Sequence, residues 1–349
     1  MNAPGPAPLV TVIVPCRNEE HYIAACLDSI VATRHPLDRL EVIVVDGASD
    51  DRTRAIVADY TARYPCMRLL DNPRRITPAA MNIGIRAAHG SVVIRMDAHA
   101  FYPPEYVPGL VAALEASGAD NVGGRMITVP GGPGPTARAI AHALAHPFGV
   151  GNSRFRIGVK QPRWVDTVQF GCYRSDVFTR IGLFDEDLVR NQDDEFNYRL
   201  IRHGGRVLLT PDVELSYFGR TSLGKLWRMF YQYGRFKPLV AKKIGRIMTV
   251  RQLVPTAFLL CLAVAGAISL FWPPAALAGA ALLGAYLALD LSSSLGSLRK
   301  VGLRGALALF AAFPTLHLAY GWGFLLGCGD LIVTRRRSRL EPAALPLSR

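Results

Sequence analysis

From residue 253 to residue 289 the chain carries no charged side chain. Backbone held away from water must satisfy its own N–H and C=O groups, so a segment this apolar is expected to be helical. At about 20 residues per crossing it reads as a helical hairpin with a short second arm, divided at Trp272-Pro273-Pro274. Residues 305–329 form a further uncharged stretch that contains Pro314. A soluble fold would have to bury three such helices on every side within a small domain, so a membrane is the expected solvent. Three crossings would set the RRRSR run (335–339) on the opposite side from the basic segment 225–251. Either the third stretch is kinked and re-entrant, or the tail departs from the positive-inside rule.

The distribution of charge agrees with that solvent. The formal net charge is +13, yet residues 1–220 hold 24 Lys+Arg and 24 Asp+Glu. The whole excess lies in 221–349, where 16 basic residues face only Asp290, Asp330 and Glu341. Cations beside apolar runs fit lipid head groups, and they exclude nucleic acid as the expected partner. Residues 222–251 interleave eight basic residues with Leu, Trp, Phe, Tyr and Met, the composition of an amphipathic helix in the membrane interface. The six cysteines form no CxxC pair, which points to reduced thiols in a cytosol-facing domain. The opening MNAPGPAPLV lacks a basic or apolar leader pattern, so no signal peptide is expected.

The first 125 residues alternate β-branched runs with helical patterns, the rhythm of a mostly parallel sheet. Strands are expected at 10–15, 41–46, 67–71 and 91–97, with helices at 21–33, 50–64, 76–90 and from 104 to about 116. PGGPGP (130–135) marks a loop, and residues 136–165 read as mixed. A short strand from Val168, an acidic helix from Asp193 and a closing strand at 206–212 complete the soluble part.

Acidic residues at strand ends carry the chemistry, because ligands of open α/β sheets bind at that edge. Asp46 ends the second strand and enters a polar turn, where its carboxylate could meet a base or ribose or simply belong to a turn and helix cap. Asp97 and His99 end the fourth. An extended exit from the strand would point both side chains the same way, as a ligand pair for one divalent cation bridging a diphosphate. Asp193, Asp194 and Glu195 open a helix, whose dipole favours carboxylates in any case; one of them could act as a general base on an attacking hydroxyl.

VTVIVPCRNEE, VIVVDGASDDRT, PAAMNIGIRAAHG, MDAHA and NQDDEFNYRLIRHG occur in an order that resembles family-two inverting glycosyltransferases of the GT-A fold. The match covers about residues 8–220. MDAHA, GVGNSRFR (149–156) and the apolar tail look most like the succinoglycan-type exopolysaccharide enzymes. The resemblance implies an α/β Rossmann-like mixed sheet followed by C-terminal transmembrane helices. It implies that Pro15, Arg17 and Glu19 line the nucleotide loop, that Asp46 binds uracil, and that Asn82, in the family's AxNxG turn pattern, lies near the donor. Asp97 and His99 take the place of the DxD motif for Mg²⁺ or Mn²⁺, with His for the second Asp. Asp193 corresponds to the base, with Gln192 where the family has Glu and Asp194 as second candidate. QYGRF (232–236) fits the QxxRW pattern with Phe for Trp, so Gln232 and Arg235 are candidates for acceptor or diphosphate contacts.

The expected organisation is a cytoplasmic GT-A catalytic domain over 1–220, basic interfacial helices over 221–251 and a membrane domain over 252–349. The expected function is hexose transfer from a UDP-sugar donor to a polyprenyl-diphosphate-linked saccharide at the inner (plasma) membrane, in company with a polysaccharide assembly complex. A polyprenyl-phosphate sugar synthase and a catalytically silent membrane scaffold are the alternatives.

Overall fold

A computed structural model describes residues 7–247 and 249–333. The RRRSR run and the first six residues, on which part of the leader reading rested, lie outside the described residues. In chain order, β1 (Val10–Cys16), α1 (Ile23–Val31), β2 (Leu40–Asp46), α2 (Thr53–Arg63), β3 (Met67–Asp71), α3 (Thr77–Ala87) and β4 (Val92–Arg95) follow the expected alternation. β1 and β4 are buried along their whole length and β2 nearly so, because strands covered on both faces are apolar throughout. α3 crosses close over β1 at Gly84, where a Cβ would stand 2.6 Å from the Ile13 side chain.

β5 (Ala100–Phe101) and α4 (Tyr106–Ser117) follow, and Gly118 at φ 61° ends that helix in the left-handed conformation. The next strand, β6 (Asn121–Val129), was absent from the sequence reading because NVGGRMITV has no alternation and two glycines. Those glycines are required by crowding: a Cβ at Gly123 would meet Val168 at 2.5 Å and one at Gly124 the Val213 carbonyl at 2.6 Å. The region read as mixed folds as α5 (Pro135–Ala143), α6 (Pro147–Val150), α7 (Arg154–Ile157) and the short β7 (Arg163–Trp164). The strand expected from Val168 is β8 (Cys172–Arg174), followed by α8 (Asp176–Ile181) and α9 (Gln192–Arg202). β9 (Val207–Phe218) continues through Pro211 well beyond the expected 212.

The strands form one sheet in the order β3-β2-β1-β4-β8-β6-β9-β5, with β7 pairing β9. β3, β2, β1 and β4 are parallel, and β8 runs antiparallel to both β4 and β6. The chain proceeds outward from β1 to β3 and returns on the other side of β1 as β4. The connection therefore reverses between β1 and β4, and such a reversal opens a crevice at the carboxyl ends of those two strands.

The chain divides into two compact units, Met1–Ile127 with Arg154–Tyr217, and Thr128–Ser153 with Phe218–Arg349. The first contains the sheet core. In the second, α10 (Leu223–Ile244), α11 (Val254–Ser269), α12 (Pro274–Gly296) and α13 (Leu298–Val333) account for the apolar tail. Among the described residues, Pro274–Gly296 and Leu298–Ile332 are long and apolar enough to cross a membrane, whereas Val254–Ser269 is apolar but shorter. α13 is broken at Gly302, at φ 74° and ψ 170°, and contains Pro314 within its helical part. Leu270, Phe271, Trp272, Leu277 and Leu307 stand exposed, as lipid-facing side chains do. Asp290, the acid within α12, is buried and accepts from the Ser294 hydroxyl at 3.2 Å.

α10 and α13 cross at small residues. A Cβ at Gly234 would run into the Tyr320 carbonyl, one at Gly323 into that of Tyr231, and one at Gly327 into that of Arg235. Gly323 and Gly327 form the small-xxx-small spacing that lets helix backbones approach. Gly323→Leu is expected to lower stability by about 1–3 kcal/mol through overpacking. Thermal melting of the detergent-solubilised chain measures this, and an unchanged melting temperature refutes the tight crossing.

Candidate active site

The crevice between β1 and β4 is built around an arginine. Arg95, the last residue of β4, is buried with its side chain 6% exposed. Its Nη1 donates to both oxygens of Asp193 at 2.6 and 2.7 Å. Its Nε and Nη2 donate to the two oxygens of Asp97 at 2.9 and 3.2 Å. The Phe170 ring lies beneath the guanidinium, 5.7 Å from its carbon. One cation thus holds together two carboxylates that are 96 positions apart (193 − 97). Burial works against the Arg95 charge, but Asp193 and Asp97 outweigh it and raise its pKa, so it stays protonated. Burial pushes the Asp193 carboxyl up, the Arg95 cation pulls it down, and the nearby Asp97 and Asp194 push it up again, for a raised pKa.

Asp97 is fixed through its backbone as well, since its carbonyl accepts from Tyr102 Oη at 3.1 Å. The extended exit expected after β4 is not what the chain does: residues 98 and 99 form a turn. His99 points its Nδ1 at Glu19 Oε1, 2.9 Å away, and stacks edge-on against Tyr217. A carboxylate only accepts, so Nδ1 carries a proton and donates to Glu19. Among the described residues, no group of three or more His, Cys, Asp and Glu is arranged to hold a metal. Each oxygen of Asp97 takes one hydrogen bond from Arg95 and retains a lone pair. The donor set therefore fits a cation held by one or two protein ligands and otherwise by phosphates and water.

The loops after β1 and β2 are tied together. The amides of Asn18, Glu19 and Glu20 donate to Ser49 Oγ, Thr53 Oγ1 and Asp51 Oδ2, at 2.9, 2.7 and 3.1 Å. Pro15 lies within buried β1, in register with Val45. Glu19, buried by His99 and Thr53, does not line the loop as an open ligand. Arg17 is half-buried against Gly47 and has no hydrogen-bond or ion-pair partner among the described residues. Asp46 is fully buried, and its oxygens accept from the Ser49 amide and hydroxyl, from Arg54 Nη1 at 3.0 Å and from the Cys16 thiol at 3.8 Å. Four donors occupy its four acceptor positions, so Asp46 organises the turn and presents no open oxygen. Arg54 also reaches Asp71, at 2.6 Å.

Asn82 lies inside helix α3 rather than in a turn. It donates to Phe184 O and Glu186 Oε1 at 2.9 and 2.7 Å and accepts from the Phe184 amide, clamping the segment that leads into α9. Glu195 is held by Arg199 at 2.7 and 2.9 Å, and Asp194 is half-buried beside Asp193. Gln232 and Arg235 lie on α10 in the helical unit, where Gln232 is buried. Arg235 donates to Asp330 at 2.8 Å and to Tyr231 at 3.0 Å, so its guanidinium locks α10 to α13.

Sequence reasoning missed Arg95, although a cation inside the apolar strand VVIRM was a visible signal. Among the described residues, five non-glycines have positive φ: Asn18, Ala48, Arg75, Phe170 and Asn191, at 55°, 53°, 59°, 52° and 60°, in the loops after β1, β2 and β3 and before β8 and α9. Such conformations are strained outside glycine and concentrate where function demands them.

The Glycosyl transferase family 2 model matches residues 11–182. Succinoglycan biosynthesis protein ExoA of Rhizobium meliloti (strain 1021) is 33% identical over 248 residues, 70% of this chain and 74% of that one. A dolichyl N-acetyl-alpha-D-glucosaminyl phosphate 3-beta-D-2,3-diacetamido-2,3-dideoxy-beta-D-glucuronosyltransferase of Methanococcus voltae is 26% identical over 67% of this chain and 74% of its own length. Among solved structures, mannosyltransferase PcManGT from Pyrobaculum calidifontis, in complex with GDP-Man and Mn²⁺, matches with a TM-score of 0.56 at 23% identity. That match covers 92% of this chain and 89% of the mannosyltransferase. S. aureus TarS in complex with UDP-GlcNAc matches at 0.50 and 19% identity, over 90% and 92% of the two chains. These likenesses establish the GT-A fold.

Removing the cation should expose the cost of the two carboxylates. Arg95→Met is expected to lose about 3–5 kcal/mol of stability, and adding Asp193→Asn should recover part of it. Urea unfolding of the single and double variants measures both, and a single variant as stable as the wild type would remove Arg95 from the centre of the site.

Proposed function

The chain belongs to glycosyl transferase family 2, and on that premise we propose that it moves a hexose from a UDP-sugar to a polyprenyl-diphosphate-linked saccharide. The proposed setting is exopolysaccharide assembly at the cytoplasmic face of the plasma membrane. That the chain is a glycosyltransferase of GT-A fold follows from the family; donor, acceptor, stereochemistry and setting are this reading. The observation that carries it is the Asp97–Arg95–Asp193 unit at the reversal between β1 and β4. It sets a donor-side carboxylate and a buried candidate base around one cation.

In this reading Asp193 is the base. Two of its four acceptor positions are taken by Arg95, which leaves room for an acceptor hydroxyl. The hydroxyl proton passes to Asp193 as the acceptor oxygen bonds to the anomeric carbon. The bond from that carbon to the β-phosphate oxygen breaks, and its electron pair leaves with UDP. A single in-line displacement inverts the anomeric configuration. Asp97 would hold Mg²⁺ or Mn²⁺, with His99 as the candidate second ligand, and the ion would supply electrostatic stabilisation to the departing diphosphate. Glu19 orients His99 for that role, as carboxylates behind histidine ligands do. Arg17 supplies a cation on the nucleotide loop. The exposed apolar faces of α11 and α12 and the membrane-length α12 and α13 support a lipid-anchored acceptor.

UDP release from a panel of UDP-sugars, with membranes carrying the protein, tests the reading. Asp193→Asn should lower turnover by about 10²–10⁴-fold while UDP binding persists. Turnover equal to wild type removes Asp193 as base, and no release with any UDP-sugar removes the donor class. Chelation should abolish release and Mn²⁺ or Mg²⁺ restore it, with Asp97→Asn requiring more metal for half-activation.

The base acts only when ionised, so kcat/KM must fall as pH drops through the Asp193 pKa. Because that pKa is raised, the acid limb should lie above the ordinary carboxylate range, and loss of the Arg95 cation should move it higher still. A wild-type profile with its acid limb in the ordinary carboxylate range contradicts this assignment.

A further inference from the structure

Arg156, on α7 in the GVGNSRFR segment, is 8% exposed, and its Nη1 is buried with no hydrogen-bond partner among the described residues. Its guanidinium rests on the Phe155 ring, 5.5 Å away, and no carboxylate meets it among the described residues. An arginine taken out of water without a counter-charge is strongly disfavoured, so the position calls for an anion. A second arginine is only partly satisfied. Arg125 on β6 gives Nη1 to Glu214 at 3.0 Å, while its Nε is buried and unpartnered among the described residues. Gly158, two residues beyond Arg156, packs on Arg125 so closely that a Cβ would stand 2.7 Å from that Nε, and its φ of 86° favours glycine. Arg154, Lys160 and Arg163 add three further cations between residues 154 and 163, with no acid until Asp166.

The sheet register locates this pair. Ile94, Cys172 and Val122 share one row across β4, β8 and β6. Both outer strands run antiparallel to β8 and are therefore parallel to each other. Three residues beyond that row stand Asp97 on one side and Arg125 on the other. Their backbones occupy the same sheet edge, about 10 Å apart by two strand spacings, so Arg125 rises from the edge on which Asp97 lies.

We infer that Arg156 and Arg125 form a second anion subsite that receives the phosphate or diphosphate of the acceptor, across the transferred sugar from Asp97. The subsite rests on the transfer reaction proposed above and specifies how its acceptor is recognised. A bidentate guanidinium suits phosphate oxygens better than an ammonium does.

The test uses the purified full-length chain with inorganic pyrophosphate as the probe, titrated calorimetrically after saturation with UDP and Mn²⁺. Pyrophosphate should bind in the presence of UDP, and Arg156→Gln should weaken it by about ten- to a hundredfold while UDP affinity stays within about twofold. Arg156→Lys should fall between the two. If Arg156→Gln fails to fold, Arg125→Gln, at a half-exposed position, serves in its place. Pyrophosphate that only competes with UDP would assign the arginines to the donor's diphosphate and overturn the inference, as would undiminished binding by both glutamine variants. A wild-type chain that does not bind UDP would instead refute the UDP-sugar donor proposed above.

Discussion

The geometry of the crevice between β1 and β4 depends on one buried cation. Without Arg95, the ends of β4 and α9 would bring Asp97 and Asp193 into a poorly solvated crevice as like charges, and one of them would take up a proton. With it, each carboxylate has two charge-assisted hydrogen bonds, and both can remain ionised. Replacing such a pair with apolar side chains can be neutral or stabilising, so stability alone does not explain its retention. What the cation supplies is position. The Asp193 carboxylate is held by a planar fork that is itself pinned by Asp97 and supported by Phe170.

The rest of the unit is arranged to keep that fork in place. α9 is anchored behind Asp193 by Asn197, which accepts from Asn121 at 2.6 Å and donates to Thr167 at 3.0 Å. Arg199 joins the same helix to the carbonyls of Ile181 and Leu183, and Asn82 holds the preceding segment at Phe184. On the other side of the crevice, the loops after β1 and β2 are cross-linked by amide-to-side-chain bonds. Residues forced to positive φ occur in both loops and before α9, and the bonding around them accounts for their persistence.

Most of the sheet unit was legible because its signals are local. Apolar runs such as VTVIVP and EVIVVD can only be strands covered on both faces, and the acidic strand ends followed from that alternation. What escaped depends on pairing across the sheet. β6 carries no periodicity, since Gly123 and Gly124 answer to Val168 and Val213 rather than to their own strand. The partners of Asp46, Glu19 and Asn82 lie up to 104 residues away (186 − 82), so their types were visible but their commitments were not. Asp46 illustrates the difference. Its place at the end of β2 was read correctly, yet its oxygens are saturated by Ser49, Arg54 and Cys16.

Arg235 shows the same limit in the helical unit, and it bears on how the tail is held. In sequence it belongs to a short pattern of glutamine and arginine that invites a ligand; in the structure its charge answers Asp330, an acid in a basic, apolar segment. Besides their apolar contacts, α10 and α13 are held in register by close backbone approach and by polar bonds. Gly234, Gly323 and Gly327 supply the first and the Arg235–Asp330 pair the second. An arginine in this setting is accounted for by packing alone. Arg156, buried with no acid against it among the described residues, is not, and its charge calls for an anion from outside the chain.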